Sequence, residues 1–161
     1  MSHTVITKRR FGIGELLLVD DEPTEALLAK EALRASGARL SMTVVSGGKE
    51  ALSWLSDRAD KGGTSHLILV LLDLNMPDWD GEATLQHIRL DPKTSLIPVM
   101  CLSTSDNERE VERAYRAGAN GYVRKPFKLE DYTKFFASLD GFWGDYVVPP
   151  TWPLSKPFNT I

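Results

Sequence analysis

The fold is decided by one stretch of sequence, His66-Leu67-Ile68-Leu69-Val70-Leu71-Leu72-Asp73-Leu74-Asn75-Met76-Pro77. Its uninterrupted apolar run predicts a strand that is buried on both faces, as in the centre of a parallel sheet. Asp73 closes the run and is followed by a proline-containing turn. Its carboxylate is therefore expected at the carboxyl end of a strand, which is where ligands bind in open parallel sheets.

The same pattern occurs once before, in Leu16-Leu17-Leu18-Val19-Asp20-Asp21-Glu22-Pro23. Two neighbouring strand ends would bring the carboxylates of Asp20, Asp21 and Asp73 close together, where they repel one another unless a cation neutralises them. Oxygen ligands without a nearby cysteine or histidine suit a hard ion. The sequence therefore predicts a Mg²⁺ site.

Composition excludes several classes of protein. A chain of 161 residues is long enough for one domain with a core, and a net charge of −3 gives no basic field for nucleic acid. The single cysteine, Cys101, lies in an apolar stretch and is expected to be a small buried side chain. No apolar run approaches the ~18 residues of a membrane span, and Thr7–Phe11 is followed by too short an apolar stretch for an export signal. We expect a cytoplasmic protein.

Apolar runs alternate with amphipathic segments in five strand–helix units. The strands are predicted at Glu15–Val19, Leu40–Val45, Leu67–Leu72, Ile97–Leu102 and Gly121–Arg124. The helices are predicted at Glu22–Ser36, Lys49–Asp57, Gly81–Leu90, Asn107–Ala117 and Leu129–Leu139, with Leu27, Tyr115 and Leu129 among their inward side chains. This alternation predicts an α/β fold, a doubly wound parallel sheet with helices on both faces.

The predicted strand ends gather further polar side chains. Ser103 follows the fourth strand, and Lys125 comes directly after the fifth. Ser103 and Lys125 would thus converge with Asp20 and Asp73 on one crevice, as four polar side chains from four different strands.

A set of short motifs gives this crevice a family resemblance. They are Val19-Asp20-Asp21-Glu22, Leu72-Asp73-Leu74-Asn75-Met76-Pro77, Asp80-Gly81, Leu102-Ser103-Thr104, Gly118-Ala119 and Tyr122-Val123-Arg124-Lys125-Pro126-Phe127. In order and spacing they resemble the receiver domain of bacterial two-component response regulators, over about residues 15–139. The resemblance implies a flavodoxin-like five-stranded parallel sheet, (βα)₅, with strand order 2-1-3-4-5.

The resemblance also implies a role for each site residue: phosphoacceptor for Asp73; Mg²⁺ ligands in Asp20, Asp21, Asp73 and the backbone carbonyl of Asn75; and phosphate binding or switching by Ser103, Thr104, Tyr122 and Lys125. His3, His66 and His87 lie outside these motifs. The phosphorylated histidine is therefore expected on a partner, a sensor histidine kinase. The only chemistry implied is Mg²⁺-dependent self-phosphorylation and self-dephosphorylation, so we do not expect an enzyme.

Other interpretations of the same residues remain open. Asp20, Asp21 and Glu22 could simply cap a helix. A phosphorelay intermediate, which passes its phosphoryl group to a phosphotransfer protein, would have the same site. A Mg²⁺-dependent phosphatase with an aspartyl nucleophile is disfavoured, because Asn75 stands where that chemistry needs a second acid.

The flanking segments indicate how a signal would leave the domain. Residues 1–14 form an N-terminal extension, and residues 140–161 form a tail rich in aromatic residues and proline, too short for an output domain. The tail is expected to pack on its own domain or on a partner. Because one helix face does not easily bury Tyr132, Phe135 and Phe136 together, we expect a homodimer through the last strand and helices.

A closer resemblance is carried by the stretch from Ile97-Pro98-Val99 to Leu102-Ser103-Thr104-Ser105, and by Val111-Glu112-Arg113-Ala114-Tyr115, Gly118-Ala119-Asn120 and Phe142-Trp143. These segments are similar to the stand-alone regulators that work with phytochromes. This resemblance implies a phytochrome-type, light-sensing kinase as the partner and supports a dimer. Neither nucleic acid nor a membrane is expected as a partner.

Overall fold

A computed structural model describes residues 14–61, 66–77 and 81–150 of the chain. Strands and helices alternate throughout these residues. The strands are β1 (Glu15–Val19), β2 (Ser41–Val45), β3 (Leu67–Asp73), β4 (Val99–Ser103) and β5 (Gly121–Arg124). The helices are α1 (Pro23–Ser36), α2 (Gly48–Asp60), α3 (Gly81–Leu90), α4 (Glu108–Ala117) and α5 (Leu129–Asp145).

The strands form one parallel sheet in the order β2-β1-β3-β4-β5, which confirms the expected topology. Every residue of β3 is buried, because this strand lies at the centre of the sheet. The register pairs Asp73 with Leu102 and Ser103 with Arg124. The carboxyl ends of β3, β4 and β5 therefore lie side by side at one edge.

Alternate residues along the central strands face two separate cores. Leu17 and Val19 pack with α2, α3 and α4 on one face of the sheet. Leu16 and Leu18 pack with α1 and α5 on the other. The expected doubly wound arrangement is confirmed, and it explains why the central strands are apolar throughout.

Two helices begin one residue later than expected because the first polar residue is a cap. Glu22 lies outside α1, and its side chain accepts a hydrogen bond from the Thr24 backbone N–H. Asn107 caps α4 in the same way through Arg109. Gly118 ends α4 with a φ of 110°, a conformation that a residue with a Cβ adopts only under strain.

The expectation that Leu27, Tyr115 and Leu129 point inward is wrong. All three side chains are exposed. In α1 the buried positions are instead Ala26, Ala29 and Ala32, and in α4 the buried position is Ala114. Small side chains let these helices approach their neighbours closely, and Leu27 and Tyr115 lie on the outer faces.

The last helix does not end at Leu139 but continues to Asp145. Trp143 in the added turns is buried in the core on the α1 side of the sheet, and Val147 packs against it. Arg39 forms ion pairs with Asp140 and Asp145. The described part of the tail therefore packs on its own domain, as one of the two expectations had it.

One argument for a dimer does not hold. Tyr132 and Phe136 stack with their ring centroids 5.2 Å apart and are both buried, while Phe135 packs edge-on against them. The domain therefore accommodates all three rings. The exposed apolar side chains of this region are Phe142, Tyr146 and Val148.

Cys101 is fully buried, and burial raises the pKa of its thiol to about 12, so it is an inert core residue. None of the helices among the described residues has the length and apolar character needed to cross a membrane. Residues 1–13, Asp80, Trp152 and Phe158 lie outside the described residues.

Candidate functional site

Three buried charged side chains meet at the carboxyl edge of the sheet. Asp20 follows β1, Asp73 ends β3, and Lys125 follows β5. Lys125 Nζ lies 2.8 Å from Asp20 Oδ2 and 3.3 Å from Asp73 Oδ2. The side chains of Lys125, Asp20 and Asp73 are only 4%, 1% and 2% exposed, respectively, so these interactions are shielded from water.

Asp73 is held in an environment that disfavours its charge. Burial raises the pKa of its carboxyl group and outweighs the opposing effects, which are the hydrogen bond from the Asn75 backbone N–H and the charge and hydrogen bond of Lys125. The Asn75 N–H donates to Asp73 Oδ1 over 2.9 Å, which fixes the direction of the carboxylate. The charge of Asp20 raises the pKa further.

Lys125 is held as a cation by its carboxylate partners. Burial by itself lowers the pKa of Lys125, but hydrogen bonds to Asp20 and Glu25 and the charge of Asp73 outweigh it, so the pKa is raised. Glu25 contacts the same Nζ atom from the first turn of α1. We call Asp20, Glu25, Asp73 and Lys125 the charged half of the site.

The carboxylates of the charged half can hold a cation. Asp20, Glu25 and Asp73 each offer an oxygen within 4.8 Å of the other two. An all-oxygen donor set suits a hard divalent cation. Asp21 is half-buried and is not a member of this group, whereas Glu25, which sequence reasoning missed, is.

The other side of the crevice is built from hydroxyl groups. Ser103 is buried, and its Oγ accepts a hydrogen bond from the Ser105 backbone N–H over 3.1 Å. The hydroxyl of Tyr122, which is half-buried, donates to the Ser105 carbonyl over 2.7 Å. Thr104 is exposed, and its backbone N–H donates to the side-chain oxygen of Asn75. We call Ser103, Thr104 and Tyr122 the hydroxyl half.

Asn75 therefore links two loops through its side chain, a role that the sequence did not indicate. The turn that carries it also needs Gly81, because a Cβ there would lie 2.6 Å from the Asp73 carbonyl oxygen. The start of α3 can pack against the end of β3 only with glycine at this position. Close packing therefore explains why the second residue of the expected Asp80-Gly81 motif is glycine.

A groove with a volume of about 510 Å³ opens beside Lys125. Its walls are mostly apolar and come from α1 and from the segment between β5 and α5, with Leu27, Phe127 and Leu129 exposed along it. At its floor lies Tyr132, whose buried hydroxyl has no hydrogen-bond partner among the described residues.

This fold and site define a class of protein. The family model of the response regulator receiver domain matches residues 16–136. The chain belongs to this family. Receiver domains are phosphorylation-activated signalling proteins and are generally not enzymes. They interact with histidine kinases and bind a divalent metal through acidic residues, and the Asp20, Glu25 and Asp73 cluster fits such an ion.

Particular relatives resemble the chain over most of its length. The response regulator Rcp1 of Synechocystis is 32% identical over 135 residues, which are 84% of this chain and 92% of Rcp1. Its Mn²⁺-bound crystal structure superposes with a TM-score of 0.71, at 31% identity, covering 86% of this chain and 99% of that one.

Two further solved structures are similar over the same shares of both chains, 86% and 99%. One is the phosphorylated cyanobacterial phytochrome response regulator RcpA, with a TM-score of 0.73 and 32% identity. The other is RPA3017, a response regulator in red light signalling of R. palustris, with a TM-score of 0.75 and 30% identity. These relatives support the link to phytochrome-associated regulators.

Proposed function

We propose that Asp73 accepts a phosphoryl group from the phosphohistidine of a sensor histidine kinase. The observation that carries this proposal is the buried carboxylate of Asp73 at the end of the central strand, with Lys125 Nζ 3.3 Å from its Oδ2. In the transfer, a bond forms between a carboxylate oxygen of Asp73 and phosphorus. The bond from phosphorus to the imidazole nitrogen breaks, and the kinase histidine leaves.

The residues around the Asp73 carboxylate prepare this reaction. The Asn75 N–H orients the carboxylate, and Lys125 supplies a positive charge near the incoming phosphoryl oxygens. We assign the cation to Mg²⁺, held by Asp20, Asp21, Asp73 and the backbone carbonyl of Asn75. When bound, Mg²⁺ would neutralise the charge that the carboxylates and phosphoryl oxygens accumulate. Substituting Asp21→Ala should weaken Mg²⁺ binding and leave the fold intact.

The hydroxyl half would respond to the new charge. Ser103 Oγ accepts a hydrogen bond from Ser105, so its own proton is available to a phosphoryl oxygen. Movement of Ser103 and Thr104 toward the phosphoryl group would displace Ser105, to which the Tyr122 hydroxyl is bonded. Tyr122 would then turn inward and change the surface formed by α4, β5 and α5.

We propose a phytochrome-type histidine kinase as the source of the phosphoryl group. Support comes from the resemblance to RcpA and to RPA3017, whose descriptions name a phytochrome regulator and red light signalling. The apolar groove beside Lys125 is a suitable place for a helix of the kinase, because it is lined by Lys125, which contacts Asp73. Since the kinase draws on cytoplasmic ATP, we propose a cytoplasmic location.

We propose a homodimer through the surface of β5 and the last helices. The apolar side chains that remain exposed near the end of α5 are Phe142, Tyr146 and Val148, and Phe142 and Tyr146 lie against each other. A two-fold contact would cover them and leave the Asp73 crevice open. Sedimentation at micromolar concentration tests this: a mass that stays monomeric with and without a phosphoryl analogue would contradict the dimer.

Phosphotransfer from purified kinases tests the proposal as a whole. Kinases loaded with labelled phosphate, phytochrome-type and others, are mixed with the wild-type protein and with Asp73→Asn. We expect rapid labelling of the wild type by a phytochrome-type kinase, slow or no labelling by the others, and none of Asp73→Asn. Equal labelling by every kinase would contradict the phytochrome assignment, and labelling of Asp73→Asn would contradict the phosphoacceptor.

A further inference from the structure

The contact between Glu25 and Lys125 assigns a function to a residue outside the expected motifs. Glu25 is the third residue of α1, a position where a glutamate commonly turns back to accept the backbone N–H of the helix cap. Here that N–H, on Glu22, donates instead to Asp20 Oδ1 over 2.9 Å. Glu25 is therefore not needed for capping, and its carboxylate reaches Lys125 Nζ.

The ammonium group of Lys125 has no donor to spare. A lysine has three N–H donors, and Nζ contacts three carboxylates, those of Asp20, Glu25 and Asp73. The contact with Asp73 is the longest of the three, at 3.3 Å. For Nζ to move closer to a phosphoryl group on Asp73, Lys125 must weaken its contact with Asp20 or Glu25.

The three partners differ in what their release would cost. The side chain of Asp20 is 1% exposed and would lose a partner without gaining water, and Asp73 carries the phosphoryl group itself. Glu25 is 42% exposed, so water can solvate its carboxylate when Lys125 leaves. Glu25 is thus the partner that exchanges most readily.

We propose that Glu25 is a positioning residue that holds Lys125 in the unphosphorylated state and competes with the phosphoryl group for it. This inference rests on the proposed role of Asp73 as phosphoacceptor. A phosphoryl group adds a charge of about −1.5 to −2 and three strong acceptor oxygens, so it displaces the single carboxylate of Glu25 from Lys125. Glu25 thereby biases the domain toward its resting state and limits how long the active state persists.

The proposal distinguishes Glu25 from two simpler possibilities. An acid in the first turn of a helix also stabilises the helix through its dipole, and a carboxylate within 4.8 Å of Asp20 and Asp73 could be a ligand of the cation. A helix-stabilising residue would affect unfolding but not phosphoryl binding. A metal ligand would affect Mg²⁺ affinity. A competitor for Lys125 affects phosphoryl binding and requires Lys125 for its effect.

The test is the affinity for beryllofluoride, a phosphoryl analogue, at saturating Mg²⁺, measured by calorimetry on the full chain. Glu25→Gln removes the charge and keeps the size of the side chain, and we expect it to tighten beryllofluoride binding by about threefold. The matched control is Glu31→Gln on the same helix, which removes the same charge from an exposed residue paired with Arg34. The control is expected to bind beryllofluoride as the wild type does.

Two further arms decide how Glu25 acts. In a Lys125→Ala background, Glu25→Gln should no longer change beryllofluoride affinity, because the competition needs Lys125. Unchanged affinity in Glu25→Gln, an equal change in Glu31→Gln, or the full effect persisting without Lys125 would each overturn the proposal. A loss of Mg²⁺ affinity in Glu25→Gln as large as the loss in Asp20→Asn would also overturn the proposal.

The proposed role of Asp73 is checked in the same experiment. Labelling by acetyl phosphate with Mg²⁺ is measured by intact-protein mass in the wild type and in Asp73→Asn. If the wild type is labelled only at Asp73 and Glu25→Gln still shows no effect, the role of Glu25 alone is overturned. If Asp73→Asn is labelled equally, the phosphoacceptor assignment fails, and the role of Glu25 with it.

Discussion

The two halves of the site are held by different forces. In the charged half, two buried carboxylates and the partly exposed carboxylate of Glu25 surround one buried ammonium group, and each of these contacts with Lys125 Nζ is an ion pair. In the hydroxyl half, Ser103 and Tyr122 are each joined to the backbone of Ser105 by a neutral hydrogen bond. Ion pairs shielded from water are costly to break one at a time, whereas a neutral hydrogen bond contributes about 1 kcal/mol. This difference suits a fixed reaction centre beside a segment that moves.

The largest expected effect comes from removing the ammonium group of Lys125 from the centre of the charged half. Without Mg²⁺, Lys125→Ala should lower the free energy of unfolding by about 3 kcal/mol, because it leaves buried carboxylates unpaired. Mg²⁺ should restore much of this loss by supplying the missing positive charge. Chemical denaturation with and without Mg²⁺ measures both effects.

The matched control for that substitution is Lys134→Ala, which removes an exposed lysine that forms an ion pair with Glu130, also on α5. It should change the free energy of unfolding little, with or without Mg²⁺. Equal stability of the two variants would show that the charged half is not held by its ion pairs.

Lys125→Ala should still accept phosphate, slowly, but lose discrimination between partners.

A smaller effect of opposite sign is expected at Asp73. Because burial raises the pKa of its carboxyl group, the charge of Asp73 opposes folding at neutral pH. Asp73→Asn should therefore raise the free energy of unfolding by about 0.5–2 kcal/mol in the absence of Mg²⁺. Thermal unfolding measures this, with the exposed Asp57→Asn as a control that should have little effect.

The gain in the free energy of unfolding from Asp73→Asn should depend on pH. A carboxyl group with a raised folded pKa binds its proton more readily when folded, so its unfavourable contribution is present above the folded pKa and is relieved as the pH falls through it. The difference between Asp73→Asn and the wild type should shrink over that range. A difference that grows as the pH falls would mean that the environment favours the charge of Asp73.

The smallest effect is expected in the hydroxyl half. Tyr122→Phe removes the hydrogen bond to the Ser105 carbonyl and should lower the free energy of unfolding by about 1 kcal/mol. The rate of labelling at Asp73 should stay within about twofold, because the charged half is untouched. Tyr115→Phe, at an exposed tyrosine on α4, is the control and should change neither quantity. A large loss of labelling in Tyr122→Phe would contradict the separation of the two halves.

Sequence reasoning succeeded where a pattern of residues is typical of one kind of structural element. A short uninterrupted apolar run that is followed by a turn is typical of a strand buried on both faces, and the structure has β3 there with Asp73 at its end. Because parallel strands align their carboxyl ends, Asp20, Ser103 and Lys125 could also be expected in the same crevice. Topology places Lys125 on the same edge as Asp20 and Asp73, but the contact also needs the length of the lysine side chain, because β4 lies between β3 and β5.

It failed where the outcome depends on packing between elements. Leu27 was expected inside, but α1 buries its alanines, which only the position of its neighbouring elements explains. Glu25 is an ordinary first-turn acid by sequence, and its contact with Lys125 depends on Asp20 having already taken the backbone N–H of Glu22. The glutamate three residues after the cap was the one available signal. It indicates capping as readily as a site.

The most direct test of the account is the site of labelling by acetyl phosphate in the presence of Mg²⁺. Intact-protein mass should show one phosphoryl group on the wild-type chain, and peptide mapping should place it on Asp73. Asp73→Asn should take none, although Asp20 and Glu25 offer carboxylates in the same cluster. Labelling of Asp73→Asn to the level of the wild type would contradict the claim that Asp73 is the phosphoacceptor.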